Sequence, residues 1–319
     1  MKSTKIKINT SQRFVTMKKA TALLSALLCS LSASAFAAEL LTPALDAAAS
    51  RTNLLDASLS QWEVFIGVPH SSVTGLPEGT PQSGDVTKGT PLGLNNDPKK
   101  VFTTFTEDGS TVLHISGEIY GGLTTKKDYS NYLFSADFKW GDRQWEPRKK
   151  DKRDSGILYH CHGEHGAFWN VWKSCLEYQV QETDLGDLHE LAGPKANSRF
   201  RIVSTNENIF DPRSPLPWSH WNGHLSASAE PDRPHGEWNH LEVYVLGDSA
   251  IHVANGVVVL ALTGAIDKNG KPLKSGQLQL QSEAAECFYK NLRITPIKAF
   301  PQDIAAKAGL TVDGKPTDK

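Results

Sequence analysis

The sequence lacks an excess of charge of either sign, and it lacks an internal apolar run long enough to span a bilayer. Its 34 Lys and Arg residues nearly balance 35 Asp and Glu residues, which leaves a formal net charge of -1. Without a basic stripe, neither nucleic acid nor an anionic membrane surface is expected as a partner. These absences argue against an integral membrane segment and leave the oligomeric state open.

Motifs for several kinds of catalytic and cofactor site are also missing. The chain has no GxGxxG, P-loop, CxxC or HExxH pattern, so nucleotide, structural zinc and zincin sites lack support. Ser155 and Gly156 are not part of the G-x-S-x-G elbow of serine hydrolases. Helical periodicity is nearly absent as well.

The N-terminus has the features of a secretory signal peptide. Lys18 and Lys19 precede an apolar run over residues 20–31, and Ala35 and Ala37 satisfy the small-x-small rule for cleavage. We therefore expect cleavage after Ala37 and a periplasmic or secreted protein. The chain is divided into a signal peptide (1–37), an N-terminal lead (38–60), a β-sandwich catalytic domain (61–296) and a peripheral polar tail (297–319).

Short alternating segments separated by turn residues make up most of the chain. In residues 132–140, apolar side chains alternate with Ser135, Asp137 and Lys139, the pattern of a strand with one buried face. Asn255-Gly256 is a strong signal for a tight hairpin. Many short strands with turns between them indicate an all-β, antiparallel sandwich.

Residues 154–189 hold most of the side chains that could perform chemistry. Near their middle, Glu177, Gln179 and Gln181 alternate with apolar residues, so they are expected to form a polar floor on one face of a strand. If the strand before the loop pairs with this one, His160 can stand beside Glu177. A histidine next to a glutamate offers a base with a pKa near working pH and a group to orient it.

Three cysteines remain after the expected signal peptide, Cys161, Cys175 and Cys287. At most one disulfide can form within a chain of three, and the first two bracket the loop. Direct pairing of Cys161 with Cys175 would place His160 opposite Leu176, so the disulfide and the predicted His160 pair compete unless a bulge intervenes.

The tryptophans in loops, together with acidic side chains, indicate the class of ligand. Loop aromatics above a polar floor suit a sugar, because its CH faces stack on aromatic rings while its hydroxyls bind polar groups. No cofactor is assigned, although a set of loop donors could hold a divalent cation without matching a specific metal motif. These donors are Glu164, His165, Asp184, Asp187 and His189.

An ordered set of segments carries a family resemblance: residues 153–159, 176–182, 236–239, 255–256, 276–281 and 288–294. With them, the sequence from about Trp62 to Pro296 resembles the 3-keto-disaccharide hydrolase family, also described as 3-keto-glucoside lyase/hydratases. The resemblance implies a concanavalin A-like jelly roll in an exported protein that acts on sugars oxidised at C3. The chain departs from the family at Asp154, where Asn is frequent.

The implied reaction is removal of the C2 proton and elimination of the C1 substituent, with or without hydration. His160 and Glu177 are the hypothetical base and acid, in unassigned order. The predicted substrate-binding residues are Gln179, Gln181, Asp154, Lys139, Trp145, Trp169 and Asp184. Two alternatives stay open: a laminarinase-like hydrolase of unoxidised glucan, in which a bulge lets Glu177 and Glu182 both face the cleft, and a non-catalytic carbohydrate-binding module.

Overall fold

The computed structural model describes residues 51–317 as two packed β-sheets and one short helix. The expected signal peptide and residues 38–50 of the expected lead lie outside the described residues. Within 51–317, no helix is long and apolar enough to cross a membrane.

The strands and the helix have the following bounds in chain order. They are β1 (Thr52–Asn53), β2 (Trp62–Ile66), β3 (Gly93–Leu94), β4 (Phe102–Glu107), β5 (Ser110–Ile115), β6 (Gly121–Thr125), β7 (Tyr132–Gln144), β8 (Asp154–His162), β9 (Ser174–Gln181), β10 (Leu188–Leu191), β11 (Lys195–Asn197), β12 (Phe200–Ser204), β13 (Glu207–Phe210), β14 (His224–Ser226), β15 (Asn239–Leu246), β16 (Ser249–Ala254), β17 (Val257–Ile266), β18 (Gln277–Ser282), β19 (Ala285–Pro296) and α1 (Gln302–Ala308).

The two sheets are almost entirely antiparallel. One follows the order β11-β17-β16-β15-β7-β19-β5-β4, with β1 added to β19. The other follows β12-β13-β14-β10-β9-β8-β18-β6-β2-β3 and contains the parallel pair β13–β14. The prediction of an all-β jelly-roll sandwich is confirmed.

Alternation along the strands determines which side chains fill the space between the sheets. On β7, Phe134, Ala136 and Phe138 are fully buried in the main core, whereas Ser135 and Asp137 are half-buried on the other face. Burying each large apolar side chain contributes about 1.5–3 kcal/mol, so such alternation also fixes the register of a strand. The predicted hairpin turn at residues 255–256 joins β16 to β17.

The C-terminal tail is an integral part of the core, so the expectation of a peripheral tail was wrong. Ile304 and Ala308 are buried at the four-residue spacing that puts side chains on one helix face, and Phe300, just before the helix, is buried as well. The helix ends at Gly309, which has a φ of 71° and donates its N–H to helix carbonyls. The amphipathic pattern was too short to outweigh the polar composition of the tail.

Candidate functional site

A cleft of about 520 Å³ lies on the ten-stranded sheet, on the face directed away from the main core. Its floor contains Glu177, Gln179 and Gln181 of β9, while Leu176, Tyr178 and Val180 point into the core. The predicted polar floor is therefore present, because apolar residues at alternate positions on β9 are held between the sheets.

Gly156 on β8 makes room for the glutamate in this floor. It is paired with Gln179, and a Cβ at this position would lie 2.1 Å from Glu177 Oε1 and 2.5 Å from Gln281 Oε1. Any larger residue would therefore collide with the two side chains. The glycine lets the carboxyl group lie directly over the backbone of the neighbouring strand.

His160 does not lie beside Glu177, so this part of the predicted site was wrong. The residue of β8 opposite Glu177 is Leu158, and the register then shifts between Tyr159 and His162. His160 has a φ of 53°, is buried, and does not line the cleft. A bulge of this kind re-aims side chains, and neither its position nor the register was readable from the alternation alone.

Cys161 follows His160 in the same bulge and lies close to Cys175. Cys161 and Cys175 belong to one small apolar cluster with Leu158 and Trp172, and both are free thiols. The disulfide between Cys161 and Cys175 that the sequence left open is therefore not formed. Burial raises the pKa of Cys175 well above its ordinary value, which keeps this thiol protonated.

A different histidine faces Glu177. On β10, His189 is the direct cross-strand partner of Glu177 and lines the cleft. Burial, and then the charge of His224, whose ring lies 5.0 Å away, lower its pKa to about 4. His189 is therefore neutral at neutral pH.

His224 and Asp187 form a hydrogen-bonded pair in the cleft wall. His224 Nε2 lies 2.7 Å from Asp187 Oδ2, and the other oxygen of Asp187 accepts the N–H of Ala227 at 2.6 Å. This hydrogen bond raises the pKa of His224 above its ordinary value. Because Nε2 is engaged with the carboxylate, Nδ1 is the nitrogen left to exchange a proton with a ligand.

A buried histidine behind the floor positions the loop that carries Asp187. His252 bonds with Gly186 O through Nδ1 and with the Tyr159 hydroxyl through Nε2, both at 2.8 Å. With Nδ1 donating to the carbonyl, Nε2 accepts from the tyrosine. The loop is thereby tied to a strand of the opposite sheet.

Three carboxyl groups and one arginine form the acidic end of the cleft. Arg148 Nη1 lies 2.7 Å from Asp154 Oδ2 and 2.9 Å from Glu283 Oε1. Burial raises the pKa of Asp154 to about 6 against the opposing effect of Arg148. Burial also raises the pKa of Glu177 well above its usual range, and the charges of Glu283 and Asp154 add to this. The cleft therefore favours the protonated form of Glu177.

The remaining predicted substrate-binding residues divide into two groups. Asp154, Trp169 and Asp184 line the cleft. Trp145 does not, since its indole donates to Ser116 O in the wall of the small apolar cluster. Lys139 lies on the other sheet, with Nζ 4.6 Å from the Trp238 ring centroid. These two predictions were wrong because sequence proximity to the polar strands does not determine which sheet face a residue occupies.

Three of the five predicted metal donors, Asp184, Asp187 and His189, line the cleft. Among residues 51–317, no group of three or more His, Cys, Asp or Glu side chains is arranged to hold a metal ion. The guanidinium of Arg148 already lies between Asp154 and Glu283, and Glu164 and His165 lie outside the cleft.

Sequence reasoning missed Arg148, His224, Gln281 and Glu283 as cleft residues. For Gln281 a signal existed, because residues 277–281 alternate Gln with Leu just as β9 alternates polar with apolar residues. The other three depend on contacts between segments far apart in the chain, and no local pattern identifies them.

Comparisons with known proteins give a family and a set of distant structural neighbours. A profile of the 3-keto-alpha-glucoside-1,2-lyase-like domain matches residues 52–295. No curated protein matches at a significant level.

Two crystallised candidate glycosyl hydrolases from Parabacteroides distasonis are among the structural neighbours. The first shares 17% identity at a TM-score of 0.37, over 62% of this chain and 91% of its own. The second shares 19% identity at a TM-score of 0.38, over 61% of this chain and 83% of its own. The Bacillus licheniformis beta-glucanase shares 7% identity at a TM-score of 0.36, over 78% of this chain and 98% of its own. The profile match covers most of the chain, which therefore belongs to the 3-keto-alpha-glucoside-1,2-lyase-like domain family.

Proposed function

We propose that the protein cleaves 3-keto-glycosides by removing the C2 proton and eliminating the C1 substituent. The observation that carries the proposal is that one cleft holds a buried carboxyl group, Glu177, whose pKa is raised by its burial, and an aspartate-oriented histidine, His224. A C3 ketone acidifies the C2 proton, so an imidazole of moderate basicity suffices to remove it.

Each group has a defined part in the proposed reaction. His224 Nδ1 takes the C2 proton, and the electron pair of that C–H bond forms the C1=C2 double bond. The C1–O bond breaks, and the leaving oxygen receives the proton of Glu177. The product is an enone, to which water can add at C1 in a second step. His189, being neutral, can donate a hydrogen bond to the C3 oxygen as negative charge develops there.

The cleft offers suitable groups for the rest of a sugar. Gln179 and Gln181 supply amide groups at the floor, and Trp169 is 43% exposed at the cleft. Amides bind hydroxyl groups, and an exposed indole provides a stacking surface for the CH face of a ring. We propose that the substrate is a small carbohydrate held between these elements.

The two alternatives have less support. A laminarinase-like site needs Glu182 in the cleft, but β8 and β9 pair without a bulge from Asp154 to Tyr159, and Glu182 binds Arg153 at 2.9 Å. For a binding module without catalysis, the buried acid and the histidine pair would have no role.

The deciding experiment compares a 3-keto-glucoside with its unoxidised counterpart, with and without chelator. Enone absorbance and release of the C1 substituent from the keto sugar alone support the proposal. Hydrolysis of an unoxidised glucan, or tight binding without turnover, would contradict it. The chelator arm tests the predicted divalent cation, because loss of activity restored by added metal would identify one.

Export through the predicted signal peptide is a separate part of the proposal. Expression in a bacterial host should give a periplasmic or secreted protein that begins at Ala38. The intact mass of the mature chain tests this directly, and a cytoplasmic protein with an uncleaved N-terminus would refute it.

A further inference from the structure

A second cavity, of about 860 Å³, lies between β12–β13 and helix α1. None of its lining residues also lines the cleft that contains Glu177. The cationic side chains at its wall are Arg199, Arg201, Arg213 and Lys307. Among the described lining residues, Asp211 is the one carboxylate, and its Oδ1 accepts the backbone N–H of Arg213. Lys307 Nζ lies 3.8 Å from Asp303 Oδ2, so the positive charge offered to a ligand rests on Arg199 and Arg201.

Arg199 is the unusual member of this wall. It is only 8% exposed, yet in the described part of the chain it forms no ion pair. Its terminal nitrogens donate long hydrogen bonds of 3.3 and 3.4 Å to the carbonyls of Pro212 and Thr317. Its Nε, also buried, has no hydrogen-bond partner among the described residues. A buried cation without a carboxylate is costly unless an anion compensates it.

The surroundings keep the guanidinium in place. Its carbon lies 5.7 Å from the centroid of the Trp218 ring, a cation–π contact that holds the side chain on one side. Two backbone carbonyls hold the other side. An arginine fixed in this way offers a planar set of donors that suits an oxyanion.

The rest of the cavity is apolar and large. Ile209, Phe210, Pro212 and Ala306 line it next to the cationic side chains. A phosphate ion alone would leave most of the volume unfilled, whereas a sugar ring carrying an acidic group would meet both the apolar and the cationic walls.

We propose that this cavity binds a sugar-sized oxyanion, with Arg199 and Arg201 holding its phosphate or carboxylate group. The site is separate from the cleft and does not depend on the reaction proposed there. It gives the protein a second carbohydrate site, selective for acidic sugars.

Calorimetric titration tests this with glucose 6-phosphate, glucuronate, inorganic phosphate and neutral glucose at constant ionic strength set by sodium chloride. We expect saturable binding of the acidic sugars, weaker binding of phosphate and none of glucose. The two acidic sugars distinguish a phosphate from a carboxylate group. Equal heats for glucose and the acidic sugars, or no saturable binding of either acidic sugar, would overturn the proposal.

Variants locate the site. Arg201→Ala removes an exposed side chain and should weaken binding at least tenfold without affecting folding. Arg199→Met should weaken it further, with circular dichroism as the check on folding. Arg293→Ala, an exposed arginine outside the cavity, should bind as the wild type does. Glu177→Gln should also bind normally, and full affinity in Arg201→Ala or lost affinity in Glu177→Gln would refute the assignment.

Discussion

Glu177 on β9 lies directly opposite His189 on β10, and both line the cleft. Directly opposed residues of antiparallel strands share a face, with their Cβ atoms about 4.5–5.5 Å apart. The pair joins the acidic end of the cleft to the wall that holds His224. The proposed acid, Glu177 on β9, and the proposed base, His224 on β14, thus lie on strands of one sheet that are separated by β10, the strand of His189.

Replacing Glu177 tests its role as the acid. Glu177→Gln keeps the shape but has no transferable proton, so elimination of a poor leaving group should slow by about 10²–10⁴-fold. A 3-keto-glucoside with a 4-nitrophenyl leaving group needs little protonation and should lose far less. The measurement is kcat for both substrates.

Glu182→Gln is the matched control, because Glu182 follows the same strand but binds Arg153 outside the cleft. It should keep both rates. Equal losses for the two leaving groups in Glu177→Gln would show that the residue positions the substrate instead of donating the proton.

The pH dependence of activity tests the histidine pair. Asp187 raises the pKa of His224 above its ordinary value of 6.5, and the base acts only when unprotonated. The kcat/KM of the wild type should therefore rise with pH through a value above 6.5. Asp187→Asn should move this limb to lower pH and reduce the maximum rate.

A second pair on the chain provides the control. Glu190 binds His220 at 3.0 Å and also accepts a backbone N–H, as Asp187 does, but neither residue lines the cleft. Glu190→Gln should leave the pH profile unchanged. An unshifted limb in Asp187→Asn would exclude His224 as the titrating base.

Gly156 should be intolerant of substitution. Gly156→Ala places a methyl group against Glu177 and Gln281, and a displacement of about 1 Å at a reacting group can cost about 10²-fold in rate. Gly84→Ala has open space around the new methyl group and should be neutral. Both variants are compared by kcat/KM and thermal unfolding, and a fully active Gly156→Ala would show that Glu177 does not need its present position.

Arg148 should stabilise the fold in a pH-dependent manner. Arg148→Met leaves Asp154 and Glu283 buried without a cation, which should cost about 3–5 kcal/mol of unfolding free energy at pH 7. Asp154 has a folded pKa of about 6, above its unfolded value, so the folded state takes up a proton first as the pH falls. The free energy of unfolding that Arg148→Met loses at high pH is therefore regained as the pH falls towards 5.

Urea unfolding at pH 7 and pH 5 measures this effect. The penalty of Arg148→Met should shrink at pH 5 as its carboxyl partners become neutral. Arg153→Met, which removes a more exposed pair with Glu182, should cost about 1 kcal/mol or less at pH 7. A penalty for Arg148→Met that stays constant across this range would mean that lost packing, and not charge, causes it.

Part of this site could be predicted because strand alternation is a local property. Glu177, Gln179 and Gln181 were assigned to one face from β9 alone, and the fold class followed from many such segments and their turns. His160 could not be assigned correctly, because its direction depends on a left-handed residue inside a bulge. Counting alternate residues along β8 through that bulge therefore assigns His160 the wrong cross-strand neighbour.

The sequence by itself determined the β-sandwich and the polar floor, since both arise from the period-2 placement of apolar residues that must be buried. Only the tertiary structure decided the neighbours of that floor. Strand order brings His189 to Glu177, and long-range contacts bring Arg148 to Asp154 and His224 to Asp187. These contacts join segments through burial and hydrogen bonding across the sheet, and no periodicity within one segment encodes the identity of its partner.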